Sequence, residues 1–188
     1  MIVVLDNYDS FTYNLVHYIE KTTGEPPVVM RNDQVDHDLI ESCSHLVLSP
    51  GPGLPREAGD LMEVIARYVT KKKILGVCLG HQALAEHFGA SLLNPFEVHH
   101  GVASEIAVDS THELFHHLPA KIAVGRYHSW CVNRQDLPPN LTVTSEDETG
   151  VIMSFKHKTL PIYGVQFHPE SILTPEGLSI IKNFIELS

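Results

Sequence analysis

The apolar positions of the chain follow two rhythms. Before Ser91, short unbroken apolar runs alternate with stretches in which apolar residues return every three or four positions. That is the pattern of strands buried on both faces and separated by amphipathic helices. Residues 1–5 (MIVVL), 27–30, 46–48 and 74–77 are the predicted strands. The predicted helices are 13–19, with Leu15, Val16, Tyr18 and Ile19 available to a core, and 58–69, with Leu61, Met62, Val64, Ile65 and Val69; the polar stretch 32–38 leads into a shorter one. From Ser91 onward the runs 104–108, 122–127, 141–145, 152–155 and 162–167 follow one another with short connections and one helical turn at 112–118, so this half is predicted to be mainly antiparallel. A last helix is expected over 175–187, with Thr174 as N-cap, Pro175 in the first turn, and Ile180, Ile181, Phe184 and Ile185 turned inward. Together these elements predict one α/β domain over 1–188, an open, mostly parallel central sheet flanked by helices with an additional small antiparallel sheet.

The chemistry collects where strands end. Ile74, Leu75 and Val77 stop at Cys78, after which Ala83, Leu84, Ala85 and Phe88 recur at helical spacing, so Cys78 stands at a strand-to-helix junction. Gly76 and Gly80 flank it in Gly-x-Cys-x-Gly, the thiol counterpart of the elbow in which small neighbours let the chain turn sharply and hold a nucleophile out. The N-terminus of the following helix favours a thiolate there. Taken alone, the stretch fits equally well a small buried hydrophobe, the usual fate of a free cysteine. Residues 164–171, GVQFHPES, tip the balance. Pro169 forces His168 into extended backbone, and in an extended chain His168 and Glu170 point the same way. Thiol, imidazole and carboxylate are the parts of a nucleophile, base and orienter relay.

Two more loops follow predicted strands. Residues 6–12, DNYDSFT, read as a connection in which Asp9 or Ser10 caps the next helix, yet Tyr8 and Phe11 in so polar a loop also fit a ligand or partner contact. Residues 49–53, SPGPG, read as a rigid turn or as a cradle. Within 50–53 only Gly51 and Gly53 have a backbone N–H, and glycine lets an oxyanion or a ligand carbonyl come close. Residues 127–130, YHSW, place polar groups beside the single tryptophan.

Composition narrows the classes of function. With 188 residues, 43% of them hydrophobic, and a mean hydropathy of −0.02, the chain can build one self-sufficient core. A formal charge of −10 without a basic stripe argues against nucleic acid or an anionic membrane as partner. No apolar run reaches the roughly 18 residues of a membrane span, and no signal peptide is expected. Cys43, Cys78 and Cys131 follow no recognisable spacing, so a cytoplasmic protein with free thiols is expected. Thirteen histidines include the pairs His99-His100 and His116-His117, but adjacent residues on a strand or helix point apart. With no HExxH pattern and no Cys/His ligand cluster, no metal site is expected; a P-loop and a dinucleotide fingerprint are absent as well.

SPGPG at 49–53, GVCLGHQ around Cys78 and GVQFHPES at 164–171 together resemble the class I glutamine amidotransferases, over the whole chain. DNYDSFT narrows the resemblance to the glutamine-hydrolysing subunits of anthranilate synthase and of aminodeoxychorismate (para-aminobenzoate) synthase. The resemblance implies a flavodoxin-like fold in which Cys78 attacks the side-chain amide of L-glutamine to form a thioester, while His168, oriented by Glu170, moves the protons. The N–H groups of Leu79 and Gly51 would hold the oxyanion, and Pro52, Gly53, Gln82, Ser129 and the backbone of Trp130 would bind the rest of glutamine. It further implies no cofactor on this chain, with Mg2+ left to the partner. That partner, on another polypeptide, would be a chorismate-using synthase subunit: anthranilate synthase component I (tryptophan biosynthesis), or aminodeoxychorismate synthase component I (folate biosynthesis), or both. Two other classes stay open, a cysteine peptidase or stress-related hydrolase on the same elbow and a non-catalytic binding module. The glycine loop and Gln82 are not required by the first, and retention of Cys78, His168 and Glu170 counts against the second.

Overall fold

In the computed structural model, which describes residues 1–94 and 100–187, the unbroken apolar runs become the middle of one large sheet. The first half runs β1 (Ile2–Asp6), α1 (Thr12–Thr23), β2 (Val28–Arg31), α2 (His37–Ser42), β3 (His45–Leu48), α3 (Leu61–Tyr68), β4 (Lys73–Val77) and α4 (Leu79–Phe88). The second half contributes β5 (Leu92–Leu93), β6 (Val102–Val108), β7 (Lys121–Arg126), β8 (Cys131–Val132), β9 (Leu141–Glu146), β10 (Ile152–His157), β11 (Ile162–Val165) and α5 (Gly177–Ile185). The order across the sheet is β2-β1-β3-β4-β11-β10-β9-β6-β7. The five strands from β2 to β11 are parallel and the rest antiparallel, while β5 and β8 form a separate antiparallel pair. The predicted antiparallel half is therefore present, and most of it extends the central sheet because β10 pairs along the free edge of β11.

The absence of alternation in the first-half strands has a direct cause. Val3, Leu5, Leu46 and Leu48 pack into one layer with Leu61, Val64 and Ile65 of α3 and Ala83 and Leu84 of α4. Ile2, Val4, Val47, Leu75 and Val77 pack into the opposite layer with Leu15 and Ile19 of α1 and Ile180, Ile181 and Phe184 of α5. Both faces are covered, so both must be apolar. Each such side chain, fully buried, contributes about 1.5–3 kcal/mol. The carboxyl ends of β1, β3, β4 and β11 lie side by side, which is where ligands bind in open α/β sheets.

Several local expectations are corrected. The last helix starts at Gly177, and Thr174 is not its cap: its hydroxyl donates to His168 O at 2.7 Å and accepts from Gly125 N at 2.9 Å. Neither Asp9 nor Ser10 caps α1. Buried Asp6 instead accepts from Tyr8 N (2.9 Å), Asp9 N (3.3 Å) and Thr12 Oγ1 (2.8 Å), turning the loop so tightly that Tyr8 takes a φ of 62°. The predicted helix 58–69 begins at Leu61 after a 3-10 turn at Pro55–Glu57, and the turn at 112–118 shrinks to Glu113–Phe115. The His116 and His117 rings do not point apart but stack with centroids 3.9 Å apart, because His117 leaves regular structure with a φ of 67°. His99 lies outside the described residues. No helix among the described residues is long and apolar enough to cross a membrane.

Candidate active site

Cys78 follows β4 with φ 51° and ψ −98°, a positive φ in a residue that has a Cβ. Such a conformation costs roughly 1–3 kcal/mol and persists only where the surroundings impose it. Here they do. A Cβ on Gly76 would stand 2.4 Å from the carbonyl of Gly80, and a Cβ on Gly80 would stand 2.5 Å from Leu48 O, so the turn closes against β3 only with glycine at both places. Cys78 N donates to Val165 O of β11 at 2.8 Å, and Cys78 O accepts from Gln82 N at 3.0 Å to open α4. The thiol is buried at 6% exposure and free, as are Cys43 and Cys131.

His168 and Glu170 meet, but not along an extended strand. β11 ends at Val165, His168 N donates to Gly125 O at 3.0 Å, and Ser171 N closes a turn onto His168 O at 3.2 Å. The turn folds the Glu170 carboxylate back onto the ring, where His168 Nδ1 donates to Oε1 at 2.7 Å. Burial works against a charged ring, but the Cys78 sulfur and the Glu170 carboxylate outweigh it and push the His168 pKa up to about 10. Nε2 of the ring is buried and has no hydrogen-bond partner of normal geometry among the described residues. Two aromatic rings wall the imidazole, Tyr127 at 4.8 Å and Phe11, edge-on, at 5.5 Å. Phe11 thus has a structural place that its polar loop did not disclose.

Cys78 stands between two cavities. One, of about 180 Å³, is lined by Gly51, Pro52, Gly53, Cys78, Gln82, Tyr127, His128, Ser129 and Trp130. The other, of about 380 Å³, lies towards His168 and is lined by residues of the Tyr8 to Phe11 loop, together with Gly51, Pro52, Cys78, His100 and Tyr127. Every glutamine contact expected from the sequence lines the smaller cavity except Leu79, which is buried beneath Gly51 with its N–H at the start of α4. That N–H belongs to the first helical turn, whose N–H groups have no partner within the helix. Asp9 faces the larger cavity; burial raises its pKa, opposed by the Phe11 N–H and by His168.

Two sets of residues escaped the sequence reading. Asn7 ties the loop after β1 to the loop after β3: its N–H donates to Ser49 Oγ and its Nδ2 to Ser49 O, both at 2.8 Å, while Asn32 Nδ2 donates to Asn7 Oδ1 at 3.1 Å. This clamp sets the position of Gly51. The second is Gln166, 0% exposed, whose Nε2 donates to Cys78 Sγ at 3.5 Å and whose Oε1 accepts from Gln82 Nε2 at 3.1 Å. Gln82 Nε2 also donates to Trp130 O at 2.9 Å, so its amide nitrogen is held by protein groups. A polar residue two places before His168, inside an otherwise apolar strand end, was the signal available for Gln166.

The family model for glutamine amidotransferase class I matches residues 3–187. The chain belongs to the class I glutamine amidotransferases. This amidotransferase is 46% identical over 188 residues to the aminodeoxychorismate/anthranilate synthase component 2 of Bacillus subtilis, covering 99% of this chain and 96% of the relative. It is 44% identical over 192 residues to the anthranilate synthase component 2 of Pseudomonas aeruginosa, covering 98% and 94%. In fold it matches a glutamine amidotransferase of Thermotoga maritima with a TM-score of 0.80 at 17% identity, over 98% of this chain and 96% of that one.

Proposed function

We propose that this amidotransferase is the glutamine-hydrolysing subunit of a chorismate-using synthase, anthranilate synthase in the first place and aminodeoxychorismate synthase in the second. The observation that carries the reading is a thiol held at a strained elbow beside a buried His168–Glu170 couple, at the edge of a cavity of about 180 Å³. Relatives named as component 2 of both synthases support the partner. His168 takes the thiol proton as the sulfur of Cys78 attacks the glutamine side-chain carbonyl, and the N–H groups of Leu79 and Gly51 take the negative charge that develops on its oxygen. His168 passes a proton to the leaving nitrogen as the C–N bond breaks, giving ammonia and a glutamyl thioester. Water then attacks the thioester, His168 takes a proton from it and passes it to the sulfur as the C–S bond breaks, giving glutamate and the free thiol. Glu170 keeps the ring in the orientation this needs. Thiol, imidazole, glutamine and water supply every proton and electron pair, so the proposed reaction asks no cofactor of this chain.

Ammonia released to water becomes ammonium, which is no nucleophile, so hydrolysis is useful only beside an acceptor site. The proposed acceptor is the synthase subunit, and the loop from Tyr8 to Phe11, which runs from the surface to His168, is the proposed route of its influence. Mixing the purified chain with each candidate synthase subunit, with chorismate and glutamine, tests the reading by the aromatic product formed. Anthranilate supports the first reading, aminodeoxychorismate the second, and both a shared subunit. Cys78→Ser is expected to abolish the glutamine-dependent product while added ammonia still serves. Equal loss with both nitrogen donors would overturn the role of Cys78.

A further inference from the structure

The buried polar groups behind the smaller cavity form one hydrogen-bonded chain whose direction is fixed at its ends. Arg126, 4% exposed, donates from NH1 to Asp147 Oδ2 at 2.7 Å and from Nε to His128 Nε2 at 3.2 Å. A guanidinium only donates, so His128 Nε2 accepts and the ring proton sits on Nδ1. That Nδ1 donates to Trp130 O at 2.9 Å. A carbonyl only accepts, so the Gln82 atom facing Trp130 O is the amide nitrogen. Its second N–H meets Gln166, which must therefore turn its oxygen to Gln82 and its nitrogen to Cys78. The orientation of Gln166 is thus set by the Trp130 carbonyl, two contacts away, and Arg126 and His128 hold that carbonyl from the far side.

From this we infer that Gln166 is a positioning residue for the nucleophile: its side-chain N–H holds the Cys78 sulfur, stabilises negative charge there, and does so on the side served by Gln82 and the Trp130 segment. A buried N–H donor favours the ionised form of an acceptor. It also gives the sulfur a second fixed neighbour besides His168. The inference rests on the proposed role of Cys78 as nucleophile, and it links the glutamine cavity to the thiol through two amides.

The test reads the thiol without glutamine or a synthase. Alkylation of Cys78 by iodoacetamide is followed across pH, with the modified peptide quantified by mass spectrometry so that Cys43 and Cys131 do not contribute. Gln166→Met removes the donor at similar volume, and Gln166→Glu replaces it with a carboxylate while keeping an oxygen for Gln82. At pH 6.5 the Met variant is expected to react roughly tenfold more slowly than the natural chain and the Glu variant more slowly still, with the rates converging at high pH. In the synthase complex kcat for glutamine falls in the same order while KM changes little. If neither variant folds, judged by far-UV circular dichroism, Gln82→Met leaves Gln166 unanchored and should show a smaller deficit of the same pH dependence. An alkylation profile unchanged in the folded variants overturns the inference. Because alkylation does not depend on glutamine hydrolysis, a slow thiol in a chain that proved not to be a glutaminase would sink the proposed function and leave the Gln166 contact standing.

Discussion

Glu170 accepts a 2.7 Å hydrogen bond from Nδ1 of His168 across the Pro169 turn, and both side chains are closed to water, at 0% and 3% exposure. A carboxylate so placed fixes the tautomer and leaves Nε2 free for the proton transfers proposed above. With the Cys78 sulfur, it raises the pKa of the ring against the effect of burial.

The raised pKa of His168 is a statement about stability. The folded protein binds this proton up to pH about 10, against 6.5 for an ordinary histidine. Stabilisation is therefore complete below pH 6.5 and is lost as pH rises through about 10. Denaturant titrations are expected to show a fall on the order of a few kcal/mol across that window. The fall should vanish in His168→Phe, and a fall that survives the substitution would assign it to other groups.

His81 presents the opposite case. Its ring is wholly buried 4.6 Å from Phe155, and burial, helped by repulsion from His128, pushes its pKa down to about 3 against the pull of the Gly164 backbone. Between pH 6.5 and 3 the unfolded chain takes up a proton that the folded one refuses, so stability falls as pH falls, by up to roughly 5 kcal/mol. His81→Leu should flatten this acid limb in equilibrium unfolding measurements.

The two halves of the relay should differ in severity. His168→Ala removes the proton carrier, whereas Glu170→Ala removes only its orientation and charge support. Glutamate release in the synthase complex is expected to fall furthest for His168→Ala and Cys78→Ala, and by a smaller factor for Glu170→Ala. A Glu170 variant as inactive as the cysteine variant would contradict these roles.

Gly51→Ala tests the loop after β3. The added Cβ would lie 2.6 Å from Asn7 Cβ, 2.7 Å from Asn7 O and 2.8 Å from Leu79 Cδ2, so the loop must move. A shift near 1 Å at an oxyanion donor can cost about a hundredfold in rate. kcat for glutamine hydrolysis should drop by about that factor. Tm should fall as well, since Asn7 and Leu79 are buried, but the loss of kcat should exceed what a smaller folded fraction explains.

What the sequence determined by itself was local: doubly buried strands from unbroken apolar runs, an elbow from Gly76-Val77-Cys78-Leu79-Gly80, and a paired imidazole and carboxylate from His168 and Glu170. These are legible because they depend on the covalent order of a few residues. Even there the reach was limited, since an extended chain was expected at 168–170 and a turn does the work. Only the tertiary structure decided that Asp6 rather than Asp9 or Ser10 organises the first loop, and that Thr174 secures His168 and Gly125 instead of capping a helix. It alone brought Phe11 and Tyr127 to the imidazole. Asn7 meets Ser49 and Gln166 meets Cys78 across separations of 42 and 88 residues. The reason is physical: a buried polar side chain must find a partner, but which partner depends on the strands packed beside it, and strand order is not written in any one segment.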